Sequence, residues 1–505
     1  MRDHQPITLK EFKGLWDRGE IEEVPLDHFS DGENYKFVAT GDIATRDGLG
    51  LHQTVASPLG NVVRIYNYIL STGNTLLVLT YDGVDGKIYH VTNSTTVFGP
   101  ILTKAGMVDF AFTPYAGRAY ISPIVYATQG DLNIEKGMSG EFLYVYKGDG
   151  TAARKAAGAT PAGTLTVANG AAGNTDAGLH LFAVVGETDT GFLSAPVAFK
   201  DFTTSAASSV SFSTVPTFSG AQWTKRHIVA TKIITGYNGN TTGYTYYFIP
   251  NATINDNVGT TLNNISFFDA DLLEDASHLL DNYAEIPAGA VLGAYHERLI
   301  LACTNTDINL CILSAPGEPE AINQITGLLT VKPDGNAITN TFELRDTLFL
   351  YKRNRTIAYN DNDDEPSTWK PTTVDEGLGC PIHGIATVLD SGGSNVDYLI
   401  VASFQGILLF TGTYVKPELS WKIANFWAGQ SRANFRYIQL VNDSINQKLY
   451  CALPDRRLLV GDYKNGLDPK EIRWVIWRFD TKVNTVALVN IDTLILGAES
   501  RLVWP

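Results

Sequence analysis

The feature that most constrains this chain is a recurring hairpin signature at near-constant spacing. An apolar run, a short polar turn and a second apolar run appear together seven times. The copies are LLVLTYDGVDGKIYHV from Leu76, RAYISP from Arg118, RLILACTNTDINLCIL from Arg298, LFLYKRNRTIAY from Leu348, LIVASFQGILLF from Leu399, LYCALPDRRLLVGDY from Leu449 and LILGAESRLVW from Leu494. Run length, β-branched and aromatic content, and Gly or Asp at the turn mark each as a β-hairpin. The first runs at Leu299, Leu348, Leu399, Leu449 and Leu494 are separated by 49, 51, 50 and 45 residues, and Leu76 and Ala119 by 43. A hairpin repeated every 40–50 residues is the signature of a β-propeller, in which each repeat supplies one four-stranded blade.

The interval from Ala119 to Leu299 is 180 residues and breaks the period. Composition shifts in the small-residue stretch from Gly150 to Gly178, which has the character of a linker. Taking out 129 residues, Lys155 to Tyr283, leaves one more blade period. That segment carries strands of its own, LHLFAVVGE, SVSFSTV, RHIVATKII, YTYYFI and ISFFDA, and His180, Phe182 and Val184 alternate along the first. Its size and pattern predict an immunoglobulin or fibronectin type III β-sandwich. Removing it and about 29 leading residues leaves 347, or seven periods of about 49. The expected architecture is therefore all-β: an N-terminal extended segment 1–29, first blades in 30–150, an inserted sandwich over 155–283 and the remaining blades in 285–505. Seven blades fit best, with six or eight as alternatives. Ring closure calls for terminal strands that share a blade, because this removes an open edge.

Chemistry is sparse in the sequence. His296-Glu297-Arg298 lacks the second histidine of a zinc-peptidase helix, and Gly83-Val84-Asp85-Gly86-Lys87 has the wrong glycine spacing for a P-loop, so it reads as a hairpin turn. No nucleophile elbow occurs, and no pair among the 53 acidic residues stands out as a glycosidase dyad. The acidic run Asp361-Asn362-Asp363-Asp364-Glu365 offers oxygen ligands suited to calcium but lacks the glycine of an EF-hand-like loop, so a solvated connection is the plainer reading. Cys303, Cys311, Cys380 and Cys451 form no CxxC pair; Cys303 and Cys311 could meet across a hairpin, but buried free thiols are expected. Net charge is −15, which argues against a protein built on nucleic-acid affinity. Basic groups are scattered: Lys352, Arg353 and Arg355; Arg456 and Arg457; Arg473, Arg478 and Lys482. A DNA-facing surface formed by them is weighed against ordinary surface charge, and the latter is favoured. The charged N-terminus is not a signal peptide, and no apolar run approaches a membrane span, so no membrane partner is expected. No catalytic, cofactor-binding or metal-binding residue is assigned, and no cofactor is expected.

Several segments taken in order resemble a known family. Pro25-Leu26-Asp27-His28-Phe29-Ser30-Asp31-Gly32-Glu33-Asn34 is followed by Ile43-Ala44-Thr45-Arg46-Asp47-Gly48. Gly377-Leu378-Gly379-Cys380-Pro381-Ile382-His383-Gly384 precedes a hairpin that ends Gln405-Gly406-Ile407. Leu449 to Pro454, Leu458 to Tyr463 and Trp474-Val475-Ile476-Trp477 close the series. Together they resemble propeller-type tail proteins of tailed bacteriophages, above all the nozzle or packaged-DNA-stabilisation proteins of short-tailed phages. The resemblance spans roughly 20–150 and 285–505, and its motifs are individually degenerate. The insert, with Gly178 to Phe182 and Asp189-Thr190-Gly191-Phe192-Leu193-Ser194-Ala195-Pro196, is similar to fibronectin-like modules of such tails and departs from a plain nozzle. The resemblance implies a structural virion protein assembled in the host cytoplasm, not an enzyme. It also implies a homo-oligomeric ring, commonly a hexamer, that contacts other tail and connector proteins while double-stranded DNA passes through without sequence-specific binding. The alternative function is a carbohydrate-binding or glycan-cleaving propeller.

Overall fold

The computed structural model describes residues 12–504 except 19–23, 26, 39–41, 47, 49, 55–60, 72, 93–95, 130–131, 159–160, 162, 242, 382, 390–396, 490–492 and 499–500. Parts of the N-terminal segment and of three resembling motifs, including Leu26, Asp47 and Ile382, thus lie outside the described residues. Seven antiparallel sheets stand in a ring. Their inner strands are Asn61–Leu70, Asp109–Tyr115, Gly289–Tyr295, Ile338–Leu344, Ile385–Leu389, Gln439–Asp443 and Val483–Val489, which define blades 1 to 7. Blade 7 is completed by Thr493–Ala498, Arg501–Trp504 and, as its outermost strand, Gly50–Thr54 from the other end of the chain. The protein is a seven-bladed β-propeller closed by strands from both ends of the chain.

The repeated leucines explain why the ring forms. Each of the seven copies of the hairpin signature begins on the second strand of a blade, which has blades packed on both its faces. Successive side chains of a strand point to opposite faces. In the second strand of blade 4, Thr347–Lys352, Leu348 and Leu350 pack toward blade 3, whereas Phe349 and Tyr351 pack toward blade 5. In blade 5, Leu399 and Val401 face blade 4, while Ile400 and Ala402 face blade 6. In blade 6, Leu449 and Cys451 face blade 5, while Tyr450 and Ala452 face blade 7. Leu299, Leu348, Leu399, Leu449 and Leu494 are all buried. A continuous apolar run, rather than strict alternation, is what a strand covered on both faces requires.

The segment between blades 2 and 3 makes two sheets of its own. Thr166–Ala172, Ser208–Ser213 and Leu262–Ile265 form one, ordered first, fourth and seventh among the seven strands of the insert. Val197–Thr204, Gly178–Thr188, Trp223–Ala230 and Tyr247–Ile254 form the other, in that order. Phe182 and Val184 meet Val210 and Phe212 between them, with the Phe182 and Phe212 rings 5.4 Å apart. The Gly150–Gly178 stretch is not a simple linker. Arg154–Lys155 is the outer strand of blade 2, so Lys155 belongs to the propeller, and Thr166–Ala172 is a strand of the insert. Its small residues serve close packing: a Cβ on Gly170 would lie 2.6 Å from Ser209 Oγ, and one on Gly173 2.4 Å from Ser266 Oγ.

The chain leaves and re-enters the propeller side by side, with Ala157 bridging Glu285 and Gly158 N donating to Ala284 O at 3.0 Å. A buried ion network then fixes the insert in place. Arg154 of blade 2 donates to both oxygens of the buried Glu320, at 2.8 and 2.9 Å, and to Asp189 of the insert at 3.1 Å. Lys147 and Arg118 also pair with Asp189, and Thr190 Oγ1 donates to Glu320 at 2.8 Å. Burial pushes the Asp189 carboxyl up, but the Lys147 bond and the two guanidinium charges hold it below its ordinary value. The insert and the neighbouring faces of blades 2 and 3, including Tyr120, Leu299 and Leu301, share one buried apolar cluster.

Two outcomes follow from this packing. Leu348→Ala and Leu399→Ala should each cost about 2–5 kcal/mol through lost burial and residual cavity, read as a lower denaturant midpoint; unchanged midpoints would remove the two-faced role of the second strand. Excising 158–284 and joining Ala157 to Glu285 should leave a propeller that melts cooperatively at a reduced midpoint, since Tyr120 and Leu299 lose cover. A non-cooperative melt by circular dichroism would show that the propeller cannot stand without the insert.

Candidate functional site: the axial cup

The innermost strand of each blade has one edge without a partner strand in its own sheet, and these edges surround the propeller axis. They enclose a cavity of about 470 Å³. Its wall is largely apolar, with Phe112, Val291, Leu292, Phe342 and Ile385, and it reaches the hairpin turns at one end of the axis. Thr341 lines it too, and its Oγ1 is buried with no hydrogen-bond partner among the described residues. Blades 3 and 4 approach closely at this point, because Gly293 leaves room for the Thr341 methyl group, which a Cβ would meet at 2.5 Å.

The other end is closed by a buried polar floor. Arg64, from the first inner strand, is 1% exposed, and its Nη2 and Nε donate to Asp109 at 2.7 and 3.1 Å. His383 Nε2 stands 3.5 Å from Asp109 Oδ2, and the Tyr66 hydroxyl stands 2.8 Å from His383 Nδ1. With Asp109 holding the Nε2 proton, Nδ1 accepts from Tyr66. Gln439 joins three blades: its Oε1 accepts from Thr485 Oγ1 at 2.5 Å, and its Nε2 donates to Ile65 O at 3.3 Å. Burial disfavours both charges of the Arg64–Asp109 pair, but each partner overcomes it, so Asp109 is held well below the usual carboxylate range and Arg64 is raised. Burial, reinforced by the Arg64 charge, pushes His383 down to about 4. The imidazole is thus neutral at pH 7, and the floor carries one plus and one minus charge.

Behind the floor, the hairpin of Arg118–Gln129 and Leu132–Gly137 runs past the end of the inner strand of blade 2, as their pairing from Ile124 to Gln129 shows. It brings in Tyr126, whose ring lies under Arg436 at 4.1 Å, and the buried Glu135, whose two oxygens have no hydrogen-bond partner among the described residues. Burial and the Asp109 charge push the Glu135 carboxyl well above its ordinary value, against the attraction of Arg64, Arg436 and Arg353.

The mouth has the opposite character. Glu343 and Asp346, at the first turn of blade 4, converge on His296, at the first turn of blade 3, with ligand-type atoms within 4.8 Å of one another. His296 Nδ1 lies 3.2 Å from Asp361 Oδ2, and its ring stacks on Tyr295 at 4.0 Å. Tyr295 donates to Asp346 O at 2.7 Å. Two fragments that the sequence offers separately, His296-Glu297-Arg298 and the acidic run from Asp361, therefore meet at one place. The rest of the acidic run is an exposed turn closed by its own side chains, with Asp363 N donating to Asp361 Oδ1 at 2.9 Å.

The other sequence candidates resolve as structural groups. Asp82 Oδ1 accepts from Val84 N and Asp85 N at 3.0 and 2.8 Å, so the Gly83–Lys87 fragment is a hairpin turn. All four cysteines are buried and free, and burial pushes the Cys303 and Cys451 thiols up to about 12. Lys352 is buried against Asn309 and Asp334, and Arg355 pairs with Asp334; Arg457 pairs with Asp455, Arg473 with Asp462 and Arg478 with Glu33. These five cations pair with acids of the same chain. Among the described residues no helix is long and apolar enough to cross a membrane. Sequence reading missed Arg64, Asp109, His383 and Gln439. The one local signal was a charge inside an apolar strand run, as in NVVRIYNYIL and MVDFAF.

No protein-family model matches this chain, and no curated protein does. Among solved structures it is similar to the crystal structure of BamB from Moraxella catarrhalis, at 12% identity and TM-score 0.28 over 78% of this chain and 92% of that one. It is also similar to apo AztD from Citrobacter koseri, at 10% identity and TM-score 0.33 over 85% of this chain and 90% of that one. The propeller assignment itself rests on the strand order.

The His383 environment has a consequence for stability. A histidine whose folded pKa lies below its ordinary value of about 6.5 stabilises the fold fully above that value, and this contribution is lost as pH falls toward about 4. The loss at His383 is on the order of 3 kcal/mol. Urea midpoints should therefore decline between pH 7 and pH 4.5, and His383→Gln should flatten part of that decline. His90, pushed down to about 4 by burial, supplies a further part. Identical slopes in the parent and the variant would exclude His383 as a contributor.

Proposed function

We propose that this protein is a structural subunit of a bacteriophage tail, a nozzle or hub protein whose copies form a ring around the DNA exit channel and guide and retain the genome. The observation that carries this reading is the meeting of three segments that resemble such proteins. Asn34 Oδ1, from the first segment, accepts from Arg46 Nε of the second and from Arg478 N, next to the Trp474–Trp477 segment, each at 2.9 Å. Trp477 Nε1 donates to Tyr35 O at 2.6 Å. The order of the motifs along the chain thus corresponds to one clasp in space, which anchors the N-terminal segment on the outer strand of blade 6.

The axis is compatible with a wall rather than a tube. A cup of about 470 Å³ with a charged floor has no room for a duplex whose major groove alone is about 12 Å wide. DNA would therefore run between copies, with each propeller forming part of the wall. A net charge of −15 repels phosphates and favours sliding over capture. In the same reading the insert is an immunoglobulin- or fibronectin-like module held on the rim by Arg154, Glu320 and Asp189.

Two measurements on the full chain test the proposal. Native mass spectrometry should find a closed ring, six copies on the resemblance, either alone or after mixing with tail proteins of the same virus. A chain that stays monomeric in both conditions would remove the proposal. Fluorescence anisotropy with a labelled duplex should show weak binding that disappears as salt rises; tight, salt-resistant binding or hydrolysis of glycans would also overturn it.

A further inference from the structure

The axial cup has an uneven charge distribution that no part of the tail reading uses. Its volume falls within the range of about 300–1,000 Å³ typical of small-molecule sites, which are mostly apolar with a few placed polar groups. Phe112, Leu292 and Phe342 supply the apolar wall. At the floor Arg64 is neutralised by Asp109, while Arg353 and Arg436 stand behind it near Glu135. At the mouth Glu343, Asp346 and Asp361 gather around His296. The arginines of the mouth turns reach elsewhere: Arg345 Nη1 donates to Thr411 O and Arg298 Nη1 to Ser314 O.

We propose that the cup binds a small amine with an apolar, preferably aromatic, body. The body lies between Phe112, Leu292 and Phe342, and the ammonium sits at the mouth beside Glu343. The orientation follows from the charges. A lysine or arginine side chain entering head first would carry its charge toward the guanidinium end of the axis. A free amine entering body first leaves its charge among the carboxylates and puts apolar surface against apolar surface. A carboxylate ligand would meet repulsion at the mouth. The site lies within one chain, so it does not depend on the ring assembly proposed above.

Four probes of one shape separate the contributions: tyramine, phenethylamine, 4-ethylphenol and 3-(4-hydroxyphenyl)propionate. Titration calorimetry on the full chain should rank the two amines, tyramine and phenethylamine, above the neutral phenol, with the carboxylate weakest. Glu343→Gln should weaken tyramine about tenfold and leave 4-ethylphenol unchanged. Ala294→Phe, at an exposed position on the mouth, should block all four without loss of thermal stability. Failure of every probe to bind at millimolar concentration would overturn the proposal, as would carboxylate binding equal to tyramine or indifference to Glu343→Gln and Ala294→Phe. Stoichiometric binding of zinc or manganese, lost in His296→Ala and unaffected by Ala294→Phe, without amine binding, would make the mouth a metal site instead and would also overturn it.

Discussion

Gly50–Thr54 from the start of the chain pairs with Arg501–Trp504 from its end, and the rest of the propeller depends on that pairing. Each second strand is apolar on both faces, so it is stable only if a blade covers each side. In an open arc the first and last blades would each expose one such face to water. Val62, Ile65, Leu76 and Val78 of blade 1 are covered by Ala487, Ile495 and Leu502 of blade 7. Closure therefore gives each of seven similar sheets, none able to bury itself alone, an apolar cluster shared with the blade on either side. It also removes an open edge that could pair with another chain.

Closure has a cost at the axis, where inner strands turn their unpaired edges toward a narrow space. The chain meets it differently at the two ends. At one end Arg64, Asp109, His383, Tyr66, Gln439 and Thr485 form a bonded chain across blades 1, 2, 5, 6 and 7. A buried pair of this kind contributes little net stability over an apolar filling, but loss of either member strands a charge. Its use is to hold particular blades in register. At the other end the wall stays apolar and open, and carboxylates collect at the rim.

The insert follows the same logic as the blades. It is joined by two adjacent strands of chain, yet it does not hang free, because Asp189 and Thr190 reach back to Arg154 and Glu320. Charges that satisfy one another favour one docking orientation, since a rotated insert would take Asp189 away from Arg118, Lys147 and Arg154. The apolar cluster shared with Tyr120 and Leu299 supplies burial, and the ion network selects the geometry.

Much of the fold was legible in the amino-acid order. The period of Leu299, Leu348, Leu399, Leu449 and Leu494 marks the second strand of successive blades, because a local apolar run is enough to specify a strand buried on both faces. The interruption after Ala119 marks the extra segment for the same reason. The small-residue stretch near Gly150 was misleading, since glycines and serines that permit close strand packing have the composition of a linker. The cup was almost entirely illegible. Arg64 and Asp109 are 45 residues apart, Tyr66 and His383 are 317 apart, and Arg64 and Gln439 are 375 apart. The acidic run from Asp361 and the lone His296 had no visible relation. The sequence alone determined the repeat, the blade-facing residues and the place of the insertion, because these depend on local periodicity and burial. Only the closed ring decided which polar side chains meet on the axis, because that depends on distances set when the last blade joins the first.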